Sequence, residues 1–189
     1  MAGRFGSVVT AMVTPFREDH SLDLDGAQAL ARQLLDSGSD AIVVAGSTGE
    51  APTLSAKEKR ELYRAVIDAA GEHGKIICGT GTYSTAETIE LTDAAAEAGA
   101  DGLLVVTPYY NKPPQRGLVA HFEVVAKQSD LPIIAYNIPG RTATRIEHET
   151  LLEIAAIPSI VAVKEYFFMG NRVQGNDGSD YGRSVEYGH

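Results

Sequence analysis

Six short runs rich in aliphatic and β-branched residues begin near Ser7, Ala41, Lys75, Gly102, Pro132 and Ile160, about one every thirty residues. That interval is the length of one strand–helix unit. The runs Ile42-Val43-Val44, Leu103-Leu104-Val105-Val106, Ile133-Ile134 and Ile160-Val161-Ala162-Val163 show no polar alternation. Strands read this way when helices cover both faces of a parallel sheet. Two segments echo each other, Ser37-Gly38-Ser39-Asp40-Ala41-Ile42-Val43-Val44 and Ala98-Gly99-Ala100-Asp101-Gly102-Leu103-Leu104-Val105, each a helix end, a glycine cap and the next strand. The repeating unit is therefore one βα module.

Between the strands the apolar period changes to that of a helix. Ala27, Leu30, Ala31, Leu34 and Leu35 form one stripe, and Leu62, Ala65, Val66 and Ala69 a second. Leu91, Ala94, Ala95 and Ala98 make a third, and Leu118, Phe122, Val125 and Ala126 a fourth. Ser55-x-x-Glu58 and Ser84-x-x-Glu87 read as capping boxes. A fifth helix spans about Glu147 to Ala156 and ends before Pro158. By Glu165 the pattern holds six strands and five helices. From Tyr166 to His189 there is no Ala, Leu or Ile, yet five of the 19 glycines fall there. That stretch fits neither period and reads as an irregular tail, so 1–165 is one domain and 166–189 lies outside it.

The strand ends discriminate between two parallel architectures. They carry Gly46-Ser47-Thr48-Gly49-Glu50, Gly79-Thr80-Gly81, Thr107-Pro108-Tyr109-Tyr110-Asn111, Tyr136-Asn137 and Lys164-Glu165. An open sheet concentrates chemistry at a switch point between a few strands, whereas a barrel brings every strand end to one mouth. Five decorated ends in succession favour a (β/α)8 TIM barrel. A complete one takes about 250 residues, and this chain has 189, so the barrel is truncated to about six strands.

Charge and cysteine content narrow the function. Sixteen basic against 25 acidic residues give a net charge of −9, which disfavours nucleic acid or an anionic membrane as partner. Cys78 is the sole cysteine, so there is no disulfide framework, and a reducing cytoplasm fits. Val8–Val13 is too short for a signal segment, and no run approaches the ~18 apolar residues of a membrane span. His20, His73, His121, His148 and His189 lack ligand spacing, and no phosphate-loop or dinucleotide fingerprint occurs. No metal or cofactor is expected.

Lys164 follows a wholly apolar run, where desolvation would favour the neutral amine that attacks carbonyls. The plainer alternative is a lysine that snorkels to water. Ser47 and Thr48 sit in a glycine-flanked turn whose amides and hydroxyls suit a small carboxylate or phosphate, unless the glycines serve only the turn. Tyr136 can exchange a proton with a reacting atom, or simply cap the core. Tyr109 and Tyr110 can belong to a site or to a subunit contact. Arg141, after Pro139-Gly140, can clamp a carboxylate or be solvated.

Taken together, Gly46-Ser47-Thr48-Gly49-Glu50, Pro108-Tyr109-Tyr110-Asn111, Tyr136-Asn137-Ile138-Pro139-Gly140-Arg141-Thr142 and Val163-Lys164-Glu165 resemble the dihydrodipicolinate synthase family of the N-acetylneuraminate lyase superfamily. The likeness runs from about Phe5 to Glu165. It implies a class I aldolase of diaminopimelate and lysine biosynthesis that condenses pyruvate with aspartate-semialdehyde and uses no cofactor. By resemblance, Lys164 forms the Schiff base, Thr48 holds the pyruvate carboxylate, and Tyr136 is the general acid/base. Ser47 and Tyr110 complete a proton relay, with Tyr110 reaching into a neighbouring subunit of a dimer or tetramer. Arg141 binds the aldehyde's carboxylate.

Sialic acid lyases and keto-deoxy sugar acid aldolases share the lysine, the tyrosine and the loop. Arg141-Thr142 and the paired tyrosines point instead to the synthase. Two departures from the family stand out: Ser47 replaces a more common threonine, and the tail from Tyr166 does not continue the family pattern. A six-stranded barrel exposes strand edges, so poor stability and weak activity are expected of this polypeptide alone. The rival classes are a non-catalytic fragment that binds other subunits and a phosphate-binding half-barrel.

Overall fold

A computed structural model describes residues 3–166 together with the backbone of Met169–Gln174 and Asp180–Val185. Six parallel strands occur in sequence order: β1 (Val9–Ala11), β2 (Ala41–Val44), β3 (Lys75–Gly79), β4 (Gly102–Val106), β5 (Ile133–Asn137) and β6 (Ile160–Glu165). Helices α1 (Leu24–Asp36), α2 (Ala56–Ala70), α3 (Thr85–Ala98) and α4 (Gln115–Gln128) follow the first four strands. A one-turn helix α5 (Pro139–Thr142) and then α6 (His148–Ala155) separate β5 from β6. The strand starts fall within two residues of those read from the sequence.

Alternation along each strand sorts the side chains into two cores. Ile42, Val44, Ile76, Cys78, Leu103, Val105, Ile133 and Ala135 pack outward with the helices. Ala41, Val43, Ile77, Leu104, Ile134 and Tyr136 pack inward, together with Phe5. A Cβ on Gly102 would stand 2.5 Å from the Phe5 ring, so the bare backbone at the start of β4 lets that ring sit over it.

Ser55 forms the full reciprocal cap with Glu58. At Ser84 one half forms: the hydroxyl accepts from the Glu87 amide, while the Glu87 carboxylate lies 3.9 Å from Lys59 Nζ.

The tail corrects the sequence reading where it is described. β7 (Met169–Gln174) pairs antiparallel with β8 (Asp180–Val185) as a separate two-stranded sheet, not an irregular segment. Neither segment alternates clearly enough in the sequence to announce a strand, and only their mutual register shows the pairing. Residues 167–168, 175–179 and 186–189 lie outside the described residues. Among the described residues no helix is long and apolar enough to cross a membrane.

Candidate active site

The register of β5 and β6 fixes the site. Ile133 pairs with Ile160, but Ile134 pairs with Ala162, so a bulge at Val161 shifts β6 by one residue. Paired residues of adjacent parallel strands face the same side, and Tyr136 faces inward. The shift sets Lys164 opposite Tyr136 and therefore inward. Val163 turns outward to the helix-facing core, while Tyr166 packs with the inner one. Without the bulge, Val163 would take the position that Lys164 holds.

Lys164 Nζ lies 4.5 Å from the centroid of the Tyr136 ring. Loss of hydration lowers the pKa of this half-buried amine. The Tyr136 phenol is shifted upward, chiefly by burial, against the opposing pull of the Ser47 hydroxyl and the Arg141 guanidinium. One residue further on, the buried Asn137 amide donates to Glu165 Oε1 at 2.9 Å, while its carbonyl accepts from the Ile146 amide at 3.1 Å. These bonds tie the ends of β5 and β6 to the segment after α5.

Tyr136, Ser47 and Arg141 line one cavity of about 430 Å³ at the strand ends. Its walls need bare backbone. A Cβ on Gly79 would strike the Ala45 carbonyl oxygen, and one on Gly81 the Val106 amide nitrogen. The Gly46–Glu50 turn is pinned by Thr14, whose hydroxyl donates to the Gly49 carbonyl at 2.6 Å.

Three residues named from the sequence are not among the residues lining the cavity: Lys164, whose amine lies against the ring of the lining residue Tyr136, Thr48 and Tyr110. Thr48 is exposed in the same turn and does not line the cavity, although its neighbour Ser47 does. Tyr110 is 90% exposed with φ of 67° and is likewise outside. The adjacent Tyr109 lines the cavity instead, set edge-on to Tyr83 with ring centroids 5.6 Å apart. Arg141 itself is solvent-exposed at the mouth.

Lys59 also lines the cavity, and the sequence reading passed over it. It is only 4% exposed, and burial lowers its pKa despite the nearby Glu87 carboxylate. The available signal was its spacing: Lys59 precedes Leu62 and Tyr63 by one helical turn and so interrupts an apolar stripe. Thr142 lines the cavity with its hydroxyl already committed to the Ile138 and Thr144 carbonyls at 3.0 and 2.8 Å.

A model of the dihydrodipicolinate synthetase family matches residues 4–173. A 4-hydroxy-tetrahydrodipicolinate synthase of Mycolicibacterium paratuberculosis is 54% identical over 86% of the chain and 54% of its own length. One from Acidothermus cellulolyticus is 56% identical over 85% of the chain and 52% of its own length. The crystal structure of the chloride-inhibited Acinetobacter baumannii dihydrodipicolinate synthase, complexed with pyruvate, superposes with a TM-score of 0.83 at 41% identity. That match covers 89% of this chain and 57% of the other. The chain thus spans about half the length of the curated relatives it matches.

Proposed function

Because this chain belongs to the dihydrodipicolinate synthetase family, we propose that it carries the pyruvate-capturing half of a 4-hydroxy-tetrahydrodipicolinate synthase. The observation that carries this reading is the desolvated Lys164 amine against the Tyr136 ring, whose phenol is shared with Ser47 and Arg141. A lysine with a depressed pKa spends more of its time as the free amine, the form that attacks a ketone.

In the proposed reaction, Nζ adds to C2 of pyruvate, and the carbinolamine loses water to give an iminium. The iminium draws electrons from the C3–H bond, and loss of that proton leaves an enamine. The enamine carbon bonds to the aldehyde carbon of aspartate-semialdehyde, whose oxygen takes a proton and becomes a hydroxyl. The substrate's own amine then adds to C2, and the C2–Nζ bond breaks. The ring closes and Lys164 is released.

Tyr136 takes the role of handing protons in and out, a reading supported by the Ser47 hydroxyl bonded to its phenol. Arg141, at the mouth, suits the carboxylate of the incoming aldehyde. Thr48 is assigned to the pyruvate carboxylate through its hydroxyl and amide, which requires the turn to close over the ligand. Tyr110, almost wholly exposed, suits a role in a neighbouring subunit's relay and therefore a dimer or tetramer.

The test offers pyruvate with aspartate-semialdehyde in one arm and with N-acetylmannosamine in the other. Condensation in the first arm alone, weakened at least tenfold by Arg141→Ala, supports the synthase. Product in the second arm alone would transfer the chain to the sialic acid lyases.

A further inference from the structure

Residues 144–147 form a strap between α5 and α6, with Thr144 and Ile146 buried and Arg145 and Glu147 exposed. Two side-chain amides grip it. Asn137, at the end of β5, accepts from the Ile146 amide at 3.1 Å and donates to the Ile146 carbonyl at 3.4 Å. Gln115, the first residue of α4, takes the groups on either side of these. Its Nε2 donates to the Arg145 carbonyl at 2.8 Å, and its Oε1 accepts from the Glu147 amide at 3.1 Å. Four backbone groups of three consecutive residues are thus satisfied by two side chains from different loops.

The strap is one residue away from α5, joined to it by Ala143 with φ of 53°. The turn is stiff within itself, because the Arg141 and Thr142 amides both bond back to the Ile138 carbonyl at 3.0 Å. Around Gly140 it is unpacked: a Cβ there would meet nothing within 4 Å. The place of α5 is therefore set by its two ends, β5 on one side and the strap on the other. Gln115 is itself well fixed, since it follows Pro113-Pro114 and the Pro114 ring holds φ at −66°.

We propose that Gln115 is a positioning residue that holds Arg141 at the cavity mouth, acting through the strap and α5. The consequence for catalysis, a well-placed guanidinium for the carboxylate of the incoming aldehyde, rests on the synthase reading given above. Gln115→Met keeps the length of the side chain and removes both contacts. The groups it frees belong to exposed residues, where water takes them up, so the fold survives while α5 loses its outer anchor.

Tyr136 reports the displacement without any substrate, because the Arg141 charge pulls its phenol down against the effect of burial. Carbon-13 tyrosine spectra of the full 189-residue chain follow the titration, with the Tyr136 signal assigned by its loss in Tyr136→Phe. Its midpoint is expected to rise by about half a pH unit in Gln115→Met and in Arg141→Ala, and no further in the double variant. In turnover, KM for aspartate-semialdehyde is expected to rise about tenfold, while borohydride trapping of pyruvate on Lys164 keeps the parent rate. A midpoint unmoved in folded Gln115→Met overturns the proposal, as does an equal loss of trapping and condensation. Should Gln115→Met not fold, Gln115→Glu carries the same measurements, since it keeps an acceptor for the Glu147 amide and loses the donor to Arg145. A parent chain that never condenses the two substrates removes the synthase reading, and the titration still decides the role of Gln115.

Discussion

At Lys164 and Tyr136, position decides chemistry. The amine is held against the ring while the phenol faces Ser47 and Arg141, so the two functions can be separated by substitution. Tyr136→Phe keeps the ring and deletes the hydroxyl proposed to carry the proton. Turnover is expected to fall ~10²-fold or more, with pyruvate still captured on Lys164, as rapid-quench assays with mass analysis of the protein would show.

His121 supplies a second residue-scale expectation. It is buried on α4, and Nδ1 meets the Thr85 hydroxyl at 2.9 Å while Nε2 has no hydrogen-bond partner among the described residues. Burial lowers its pKa from 6.5 to about 4. Above pH ~6.5 the ring is neutral both folded and unfolded. Between that value and about 4 only the unfolded chain takes up the proton, so stability falls on acidification, by about 3 kcal/mol in all. Urea unfolding across that range is expected to show a shallower acid loss in His121→Leu than in the parent protein.

Among the elements, those with a clear period were legible in the sequence and those set by pairing were not. The five longer helices and six strands announced themselves because each buries a stripe or a face. The one-turn α5 did not, because four residues beginning at a proline are too few to show a period. Lys59 was hidden by its charge, since a lysine inside an apolar stripe reads as a break in it. The Val161 bulge exists only in the register between two strands, yet it is what turns Lys164 inward.

Ser47, Tyr136 and Arg141 could be gathered from their places at strand ends. Their exact neighbours, Tyr109 rather than Tyr110 and Ser47 rather than Thr48, depend on loop conformation that no periodicity encodes. The capping box at α2 gives a direct check at this scale. Ser55→Ala removes the acceptor of the Glu58 amide and is expected to cost ~1 kcal/mol by chemical denaturation.

For the molecule as a whole, the six-stranded sheet has apolar borders at β1 and β6 that are unpaired among the described residues. Exposed edges of this kind pair with other chains, which argues for low solubility of the protein kept alone. A lysine on the rim of β6 opposes such pairing, so Val161→Lys is expected to raise the concentration at which light scattering begins. An unchanged onset would locate the self-association elsewhere, for example at Val8 and Val13, which are also exposed.

Trapping the imine with borohydride in the presence of pyruvate, followed by intact mass and peptide mapping, interrogates Lys164 itself. A single carboxyethyl group on the Lys164 peptide is expected, lost in Lys164→Arg. Its rate should rise with pH and level off below the ~10.4 of an ordinary lysine. A protein shown by circular dichroism to be folded, yet carrying no adduct or one scattered over its surface lysines, would contradict the assignment.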